Sequence, residues 1–194
     1  MSELDELVSR CQQGELAAFT ELFRRYEDQV YRLAVTILRD EQDAEDAVQD
    51  VFLRVFEQIK GYRGESSFKT WLTAIAVNRC RDRLRRRKVR RTLSLDRLRG
   101  RIGRNQTDLA DVIAARQRRQ TLWSLVDRLD GKYRLPVILH YHEGLSCGEV
   151  ARVLGVRVSV VYSRLNTARL RLRAMLREQE ASNQGSRKVE REPC

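Results

Sequence analysis

The most specific local pattern in the chain is GLSCGEVARVLGVRVSVVYSRLNTARLRLR, residues 144–173. Ser146 and Glu149 stand three residues apart before an apolar run, which is the spacing of a capping box at the start of a helix. Gly155 follows that run, at a place where a tight turn needs a residue that tolerates positive φ. A second helix is predicted to begin near Val158. This arrangement predicts a helix-turn-helix.

The outer face of the second predicted helix carries side chains suited to DNA. Four polar residues share this face at spacings of three and four: Ser159, Tyr162, Ser163 and Asn166. Arginines flank them at Arg157, Arg164, Arg169, Arg171 and Arg173. Hydroxyls and amides read base edges, whereas arginines mostly hold phosphates. The alternative is a solvated face on an ordinary core helix, but the capping box, the turn glycine and the basic flank together favour DNA binding.

The first half of the chain repeats apolar residues at helical spacing. Three segments do so. The first is 15–38, the second is 40–60, whose apolar stripe includes Val55 and Phe56, and the third begins at Phe68 and runs into the basic stretch 81–91. A short helix that ends near Gly14 is predicted before them. Residues 61–67 contain two glycines and two serines and are predicted to form a loop. Trp71 lies on the third apolar stripe, so it is predicted to belong to the core, and the alternative is a platform on which a base stacks.

Charge is unevenly distributed along the 194 residues, whose net charge is +11. Residues 1–60 carry 7 basic and 14 acidic side chains, a net of −7, whereas residues 61–194 carry 31 and 13, a net of +18. The acidic part suits a basic partner and the rest suits a polyanion. Nucleic acid is the first candidate and an anionic membrane surface a weaker one. No apolar run approaches the roughly 18 residues of a membrane-spanning helix.

Composition and spacing together predict an all-α protein. Ten glycines and two prolines are too few to punctuate an all-β fold, and 42% hydrophobic residues suffice for small cores. We expect two small helical domains joined by a flexible basic linker. The parts are a first domain at 1–91, the linker at 92–108, a second domain at 109–178 and a disordered tail at 179–194. In the second domain, helical spacing runs from Leu109 to about Leu129, and a short helix covers roughly 132–143.

The sequence offers no set of residues for covalent chemistry. The four cysteines are far apart and form no CxxC pair, so reduced thiols in a cytoplasmic protein are expected. His140 and His142 are two residues apart and face different sides of a helix, which makes them a poor metal pair. A Gly-rich phosphate loop and a nucleophile–base pair are also lacking. We therefore predict a protein that is not an enzyme and that uses no cofactor and no metal.

Three segments, in this order, resemble the sigma-70 family, and most closely its small two-domain, extracytoplasmic-function class. They are DAEDAVQDVFLRVFEQI at 43–59, FKTWLTAIAVNRCRDRLRR at 68–86 and the pattern at 144–173. The resemblance covers roughly residues 15–178. It implies a sigma domain 2 helical bundle and a sigma domain 4 helix-turn-helix. It also implies an alternative transcription initiation factor that directs core RNA polymerase to promoter DNA and is controlled by an anti-sigma factor.

The resemblance implies two roles for the first domain. The acidic helix would dock on the clamp coiled coil of the largest polymerase subunit, through Asp43, Asp46, Gln49, Asp50 and Arg54. The loop 61–67 and the helix after it would recognise and help melt the −10 element and capture a flipped base of the non-template strand. The residues implied there are Tyr62, Arg63, Ser66, Ser67, Asn78, Arg79, Asp82, Arg85 and Arg86.

The resemblance also implies that the helix beginning near Val158 enters the major groove at the −35 element. The residues implied are Arg157, Ser159, Tyr162, Ser163, Arg164, Asn166, Thr167 and Arg169. The same domain would sit on the flap of the other large polymerase subunit, and the linker would run toward the RNA exit region. Family helices commonly read VGTVKSRLHRAR here, whereas this chain reads VSVVYSRLNTAR. Because Tyr162, Asn166 and Thr167 depart from the family pattern, the common AAC-containing −35 motif is not assumed.

The alternative function is a stand-alone helix-turn-helix transcriptional regulator. Such a protein binds duplex DNA by itself, usually as a dimer on a palindrome. No additional dimerising helix or ligand domain is evident in the sequence, which favours the initiation factor. Footprinting of duplex DNA without polymerase would indicate the regulator, and metal-dependent cleavage would indicate an enzyme.

Overall fold

The computed structural model describes residues 2–93 and 121–189, and the side chains of 2–89 and 121–179. All regular structure in these ranges is helical, which confirms the prediction of an all-α protein. Contacts divide the chain into two compact units, one toward each end. The predicted boundaries of the two domains and of the linker remain predictions. Residues 94–108 of the predicted linker, and 109–120 of the helix predicted after it, lie outside the described residues.

Residues 2–93 form a bundle of α-helices with one 3₁₀ turn. The elements are α1 (Glu3–Gln12), α2 (Leu16–Leu38), α3 (Glu41–Gln58), the 3₁₀ turn (Ile59–Gly61) and α4 (Phe68–Leu93). The apolar stripes in the sequence predicted α2, α3 and α4 to within about two residues at each end, because helices with one buried face have a clear 3.6-residue period. The predicted loop at 61–67 connects the 3₁₀ turn to α4.

Local capping fixes where these helices begin and end. Ser2 Oγ accepts a hydrogen bond from Asp5 N (3.2 Å), and an Asp5 oxygen accepts one from Ser2 N (2.7 Å), which forms a capping box for α1. Asp40 Oδ1 accepts a hydrogen bond from Asp43 N (2.9 Å) at the start of α3. Between α2 and α3, Arg39 takes a left-handed φ of 58°, which ends α2 and turns the chain toward α3.

The core of the first unit forms where α2, α3 and α4 pack on one another. Its most deeply buried large side chains are aliphatic, and they include Leu22, Leu33, Ile37, Val51, Val55 and Leu72. Each contributes about 1.5–3 kcal/mol by leaving water. Packing of the three helices therefore fixes the position of the first turns of α4. It also fixes the end of the loop at 61–67, which leads into them.

The second unit contains the predicted helix-turn-helix. Its described elements are α5 (121–128), α6 (Gly131–Val137), a π-helical turn (Ile138–His142), α7 (Cys147–Leu154) and α8 (Val158–Val189). The capping box forms as predicted, because Glu149 N donates to Ser146 Oγ (3.3 Å) and Ser146 N donates to Glu149 Oε2 (2.9 Å). Gly155 takes a φ of 65° in the turn after α7. α6 packs against α8.

Two features of the second unit differ from the sequence prediction. The helix predicted at 132–143 is α-helical only to Val137, after which Glu143 N donates to Ile138 O (3.1 Å) at π-helical spacing. The backbone of α8 continues to Val189, through most of the predicted tail at 179–194. Residues 174–182 are rich in the strong helix formers Ala, Met, Leu, Glu and Gln, which favour helix over the first residues of the predicted tail. Residues 190–194 lie outside the described residues.

Candidate nucleic-acid interfaces

A surface hollow lies beside the loop that leads into α4. Its volume is about 350 Å³, and it is lined by Gly61, Tyr62, Arg63, Glu65, Ser66 and Trp71. Three of the predicted −10 residues, Tyr62, Arg63 and Ser66, therefore lie around one space. Ser67, the fourth predicted loop residue, has a structural role, because its Oγ accepts a hydrogen bond from Thr70 N (3.2 Å) in the first turn of α4.

One wall of the hollow is aromatic. The ring centroid of Trp71 lies 5.2 Å from that of Tyr62 and 5.6 Å from that of Phe68. Phe68 is buried, whereas Trp71 is half-buried and lines the hollow. The prediction that Trp71 belongs to the core is corrected accordingly: its ring packs on Phe68 and also forms part of an accessible surface. The hollow thus combines an aromatic wall with hydroxyl and guanidinium groups.

Three hydrogen bonds hold the loop around the hollow. Tyr62 Oη donates to Ser66 O (2.7 Å), and burial raises the pKa of this phenol above its usual value because it disfavours the charged phenolate. Gln12 Nε2, at the end of α1, donates to Ile59 O (3.0 Å) and to Tyr62 O (2.8 Å). The sequence pattern does not indicate this role of Gln12, because the carbonyls that it binds are 47 and 50 residues away along the chain.

The −10 residues predicted on α4 lie along the helix beyond the hollow. Four residues follow one another at spacings of seven, four and three, which places them in one line along the helix: Trp71, Asn78, Asp82 and Arg85. Asn78 and Arg85 are exposed, and Asp82 is half-buried with its carboxylate 3.6 Å from the Arg85 guanidinium. Arg79 and Arg86 lie beside this line. Beyond the aromatic wall, this face of α4 therefore presents one side-chain amide and several cationic side chains.

The acidic residues predicted to dock on polymerase bind two arginines of α4. Arg83 Nη2 and Nε donate to Asp50 Oδ2 at 2.7 and 3.2 Å. The same guanidinium lies 3.2 Å from Asp46 and 3.8 Å from Asp43, and Arg87 lies 3.4 Å from Asp43. We call these five residues the α3–α4 ion cluster. The sequence did not predict it, because its members meet only when α3 packs on α4.

Exposed side chains continue this surface along α3. Gln49 is exposed and Arg54 is half-buried. Leu53 is 65% exposed and Phe56 is 50% exposed. The apolar spacing placed Phe56 on the buried face, but the structure leaves it at the margin, where its ring packs edge-on against Phe19 with centroids 5.1 Å apart. The predicted docking face therefore carries apolar surface as well as charge.

The outer face of α8 carries the residues predicted for the −35 element. Most of them are exposed: Arg157, Ser159, Tyr162, Ser163, Asn166 and Arg169. Arg164 and Thr167 are half-buried. A second hollow of about 370 Å³ adjoins this face and is lined by Lys132, Tyr133, Ser159, Val160, Ser163, Arg164 and Thr167. Lys132 and Tyr133 belong to α6, and no local sequence pattern predicts that they lie near this face.

Contacts from the preceding segments orient two arginines of α8. Arg169 Nε donates to Tyr141 Oη (2.9 Å). Arg171 lies 2.9 Å from an oxygen of Asp130, and its guanidinium stands 4.4 Å from the ring centroid of Tyr133. A cation over an aromatic ring contributes about 0.5–1 kcal/mol at an exposed site. These contacts hold α8 against α6 and the π-helical turn with its polar face toward solvent.

Comparison with known families identifies both units. The family described as Sigma-70 region 2 matches residues 22–90, and Sigma-70, region 4, matches residues 119–172. The chain belongs to the sigma-70 family. In this sigma factor, region 2 contains the aromatic hollow, the residues in line along α4 (Trp71, Asn78, Asp82 and Arg85) and the ion cluster. The helix-turn-helix lies within region 4.

Curated relatives place the sigma factor in the extracytoplasmic-function class, as the resemblance implied. It is 34% identical over 171 residues to the ECF RNA polymerase sigma factor SigM of Mycobacterium tuberculosis. The aligned residues cover 88% of this chain and 83% of SigM. The sigma factor is therefore an alternative transcription initiation factor.

Solved structures with the same fold include two sigma factors in complexes. CnrH, solved with the cytosolic domain of CnrY, aligns with a TM-score of 0.64 and 27% identity over 89% of this chain and 96% of CnrH. CnrH is an RNA polymerase sigma factor of Cupriavidus metallidurans. RpoE of Bartonella quintana, solved with the anti-sigma factor NepR, aligns with a TM-score of 0.67 and 22% identity over 82% of this chain and 96% of RpoE.

Two cysteine side chains of the sigma factor, those of Cys11 and Cys80, are buried in its core. Cys80 is fully buried in α4, and burial raises the pKa of its thiol to about 12. Burial also raises the pKa of the Cys11 thiol. Within 2–93 and 121–189, no three His, Cys, Asp or Glu side chains are grouped so that they could hold a metal ion. In the same part of the chain, no helix is long and apolar enough to cross a membrane.

Proposed function

We propose that this sigma factor selects promoters by capturing a −10 base in the hollow of region 2 and by reading the −35 element with α8. The main observation behind the proposal is the aromatic wall formed by Tyr62 and Trp71. This wall adjoins the polar residues that lie in line with Trp71 along α4. An extruded base stacks on an aromatic face, and its backbone needs cations nearby. Both requirements are met on one side of region 2.

Capture of the base supplies part of the free energy of promoter melting. Stacking of a base on an aromatic side chain contributes about 1–3 kcal/mol, which offsets the few kcal/mol lost on unstacking. Ser66 also borders the hollow, where its hydroxyl would contact the base edge. Asn78, Arg79, Asp82, Arg85 and Arg86 would then guide the strand, with the arginines on its phosphates.

The region 4 helix reads duplex DNA in this proposal. Ser159, Tyr162 and Asn166 are exposed on one face of α8, where their polar groups reach base edges in the major groove. Arg157 and Arg164 bind phosphates beside them. The adjoining Lys132 of α6 adds a cation at the margin of the same face.

Docking on core polymerase uses α3 in this proposal. Its exposed Gln49, Leu53 and Phe56 lie beside the carboxylates of the ion cluster, a mixture that would suit a partner surface with both basic and apolar side chains. We assign this face to the clamp coiled coil of the largest subunit and region 4 to the flap of the other large subunit. The factor performs no covalent chemistry and acts in the cytoplasm.

We also propose control by an anti-sigma factor. RpoE, which has the same fold, was solved with such a factor, and CnrH with the cytosolic domain of CnrY. The exposed apolar side chains of α3 favour a partner that competes with polymerase for the same face.

Permanganate reactivity of −10 thymines in the promoter complex tests the central part of the proposal. Holoenzyme with wild-type factor should give strong reactivity, which reports unpaired thymines. Trp71→Ala should reduce it about tenfold because it loses the stacking surface, whereas Trp71→Phe should retain most of it. Equal reactivity for wild type and Trp71→Ala, with equal occupancy of the promoter, would contradict capture in this hollow.

A further inference from the structure

The aromatic hollow depends on a residue that lies outside both family matches. Gln12 ends α1, ten residues before the region 2 match begins at residue 22. It is half-buried, and its Nε2 donates to Ile59 O at 3.0 Å and to Tyr62 O at 2.8 Å. A side-chain amide has two N–H groups, so both are used on these carbonyls. Gln12 therefore links α1 to the two ends of the turn that leads into the hollow.

The position of α1 is itself fixed by packing. Leu7, Val8 and Cys11 are buried on the face that meets the bundle, and α1 contacts both α2 and the 3₁₀ turn. The turn closes locally through Tyr62 N, which donates to Ile59 O (3.1 Å). Since Ile59 O and Tyr62 O both accept from Gln12, a shift of this amide moves the backbone that carries the Tyr62 ring.

We propose that Gln12 is a positioning residue for base capture at the −10 element: its amide holds Ile59 O and Tyr62 O so that the Tyr62 ring stands against Trp71. The inference rests on the proposed function of the hollow. Gln12 does not line the hollow, so it acts on base selection through the placement of Tyr62. Its effect is therefore confined to the −10 element and leaves the −35 contacts and polymerase docking unchanged.

Two substitutions of Gln12 and one control isolate this role. Gln12→Glu keeps the shape of the side chain but replaces the donor with an oxygen that faces two carbonyl oxygens. Gln12→Met keeps the length and removes the donor without adding charge. The control is Gln13→Glu, because the neighbouring Gln13 is exposed and this substitution adds the same charge at the same end of α1.

The experiment measures binding of holoenzyme, assembled with each full-length variant, to single-stranded oligonucleotides that carry the non-template −10 sequence. One oligonucleotide has the preferred base at the captured position, and three have the other bases. We expect Gln12→Glu and Gln12→Met to weaken binding of the preferred oligonucleotide about tenfold and to bring the four affinities within about twofold of one another. Gln13→Glu should bind like wild type, and the affinity of every variant for core polymerase should be unchanged.

Several outcomes would overturn the inference. Base discrimination by Gln12→Glu equal to that of Gln13→Glu would show that Gln12 does not position the hollow. Parallel losses in affinity for all four oligonucleotides and for core polymerase, or failure of both Gln12 variants to fold, would indicate a general structural role. If wild-type holoenzyme does not discriminate the bases, the proposed function of the hollow fails first. That result is distinct, because it appears before any Gln12 variant is compared.

Discussion

Removal of the Arg83 guanidinium tests whether the α3–α4 ion cluster stabilises region 2. Arg83→Met keeps an apolar stem and deletes a group that holds Asp50 at 2.7 and 3.2 Å and Asp46 at 3.2 Å. The Arg83 side chain is 22% exposed and that of Asp50 is 45% exposed. The exposure of this pair is therefore intermediate between two classes of ion pair. An exposed pair contributes about 0.2–1 kcal/mol, and breaking a buried pair costs about 3–5 kcal/mol. With two bonds to one carboxylate and a second carboxylate nearby, we expect a loss of about 1.5–2 kcal/mol in the free energy of unfolding.

Urea unfolding measured by Trp71 fluorescence checks this value. In a Trp123→Phe background the signal reports region 2 alone, because Trp71 lies in α4 and Trp123 in α5. The matched control is Arg86→Met, an exposed arginine on the same helix, which should change stability by less than about 0.5 kcal/mol.

A double-mutant cycle with Asp50→Asn separates the ion pair from other effects of losing Arg83. The coupling energy should be about 1 kcal/mol and should fall in about 1 M salt, because half-exposed charges are screened. A destabilisation by Arg83→Met no greater than that by Arg86→Met, or a coupling energy of zero within error, would show that the ion cluster does not stabilise region 2.

Three further substitutions or modifications test other parts of the account. Asn166→Ala should cost about 1–3 kcal/mol at one −35 base pair if the amide contacts a base edge, measured by binding to promoter variants, whereas a uniform loss over all variants would indicate a backbone contact. Gln49→Arg should weaken association with core polymerase about tenfold while the unfolding free energy is unchanged, because Gln49 is exposed on α3 and is not a member of the ion cluster. Because burial raises the pKa of Cys80 to about 12, its thiol stays protonated at pH 8. Iodoacetamide should therefore modify Cys147 well before Cys80, as measured by mass spectrometry, and equal rates would contradict the burial.

The helices that bury one continuous face were predictable from the sequence. The stripes of α2 and α3 and the capping box, glycine turn and polar face of α7 and α8 are all local patterns, since each depends on residues three or four apart. The line from Asn78 to Arg85 on α4 follows from the same period. Local rules therefore yielded the fold class and the positions of most candidate interface residues.

The features that were missed depend on contacts between distant segments. The ion cluster pairs Arg83 with carboxylates 33 to 40 residues earlier, and Gln12 binds carbonyls 47 and 50 residues later. The apolar spacing predicted burial for Trp71 and Phe56, but each lies at the edge of its stripe, where packing leaves part of the ring exposed. Helical period predicts which face is apolar, and only the packed bundle decides how far its margins are covered.

Run-off transcription by core RNA polymerase on promoters with randomised −35 and −10 elements measures promoter selection at both elements. With this factor present, we expect new transcripts from a defined subset of promoters that share sequence at both elements. We also expect that Trp71→Ala loses selection at the −10 element while selection at the −35 element persists. Transcripts that share sequence at the −35 element alone, or no transcripts from a complex that binds core polymerase, would contradict selection at both elements.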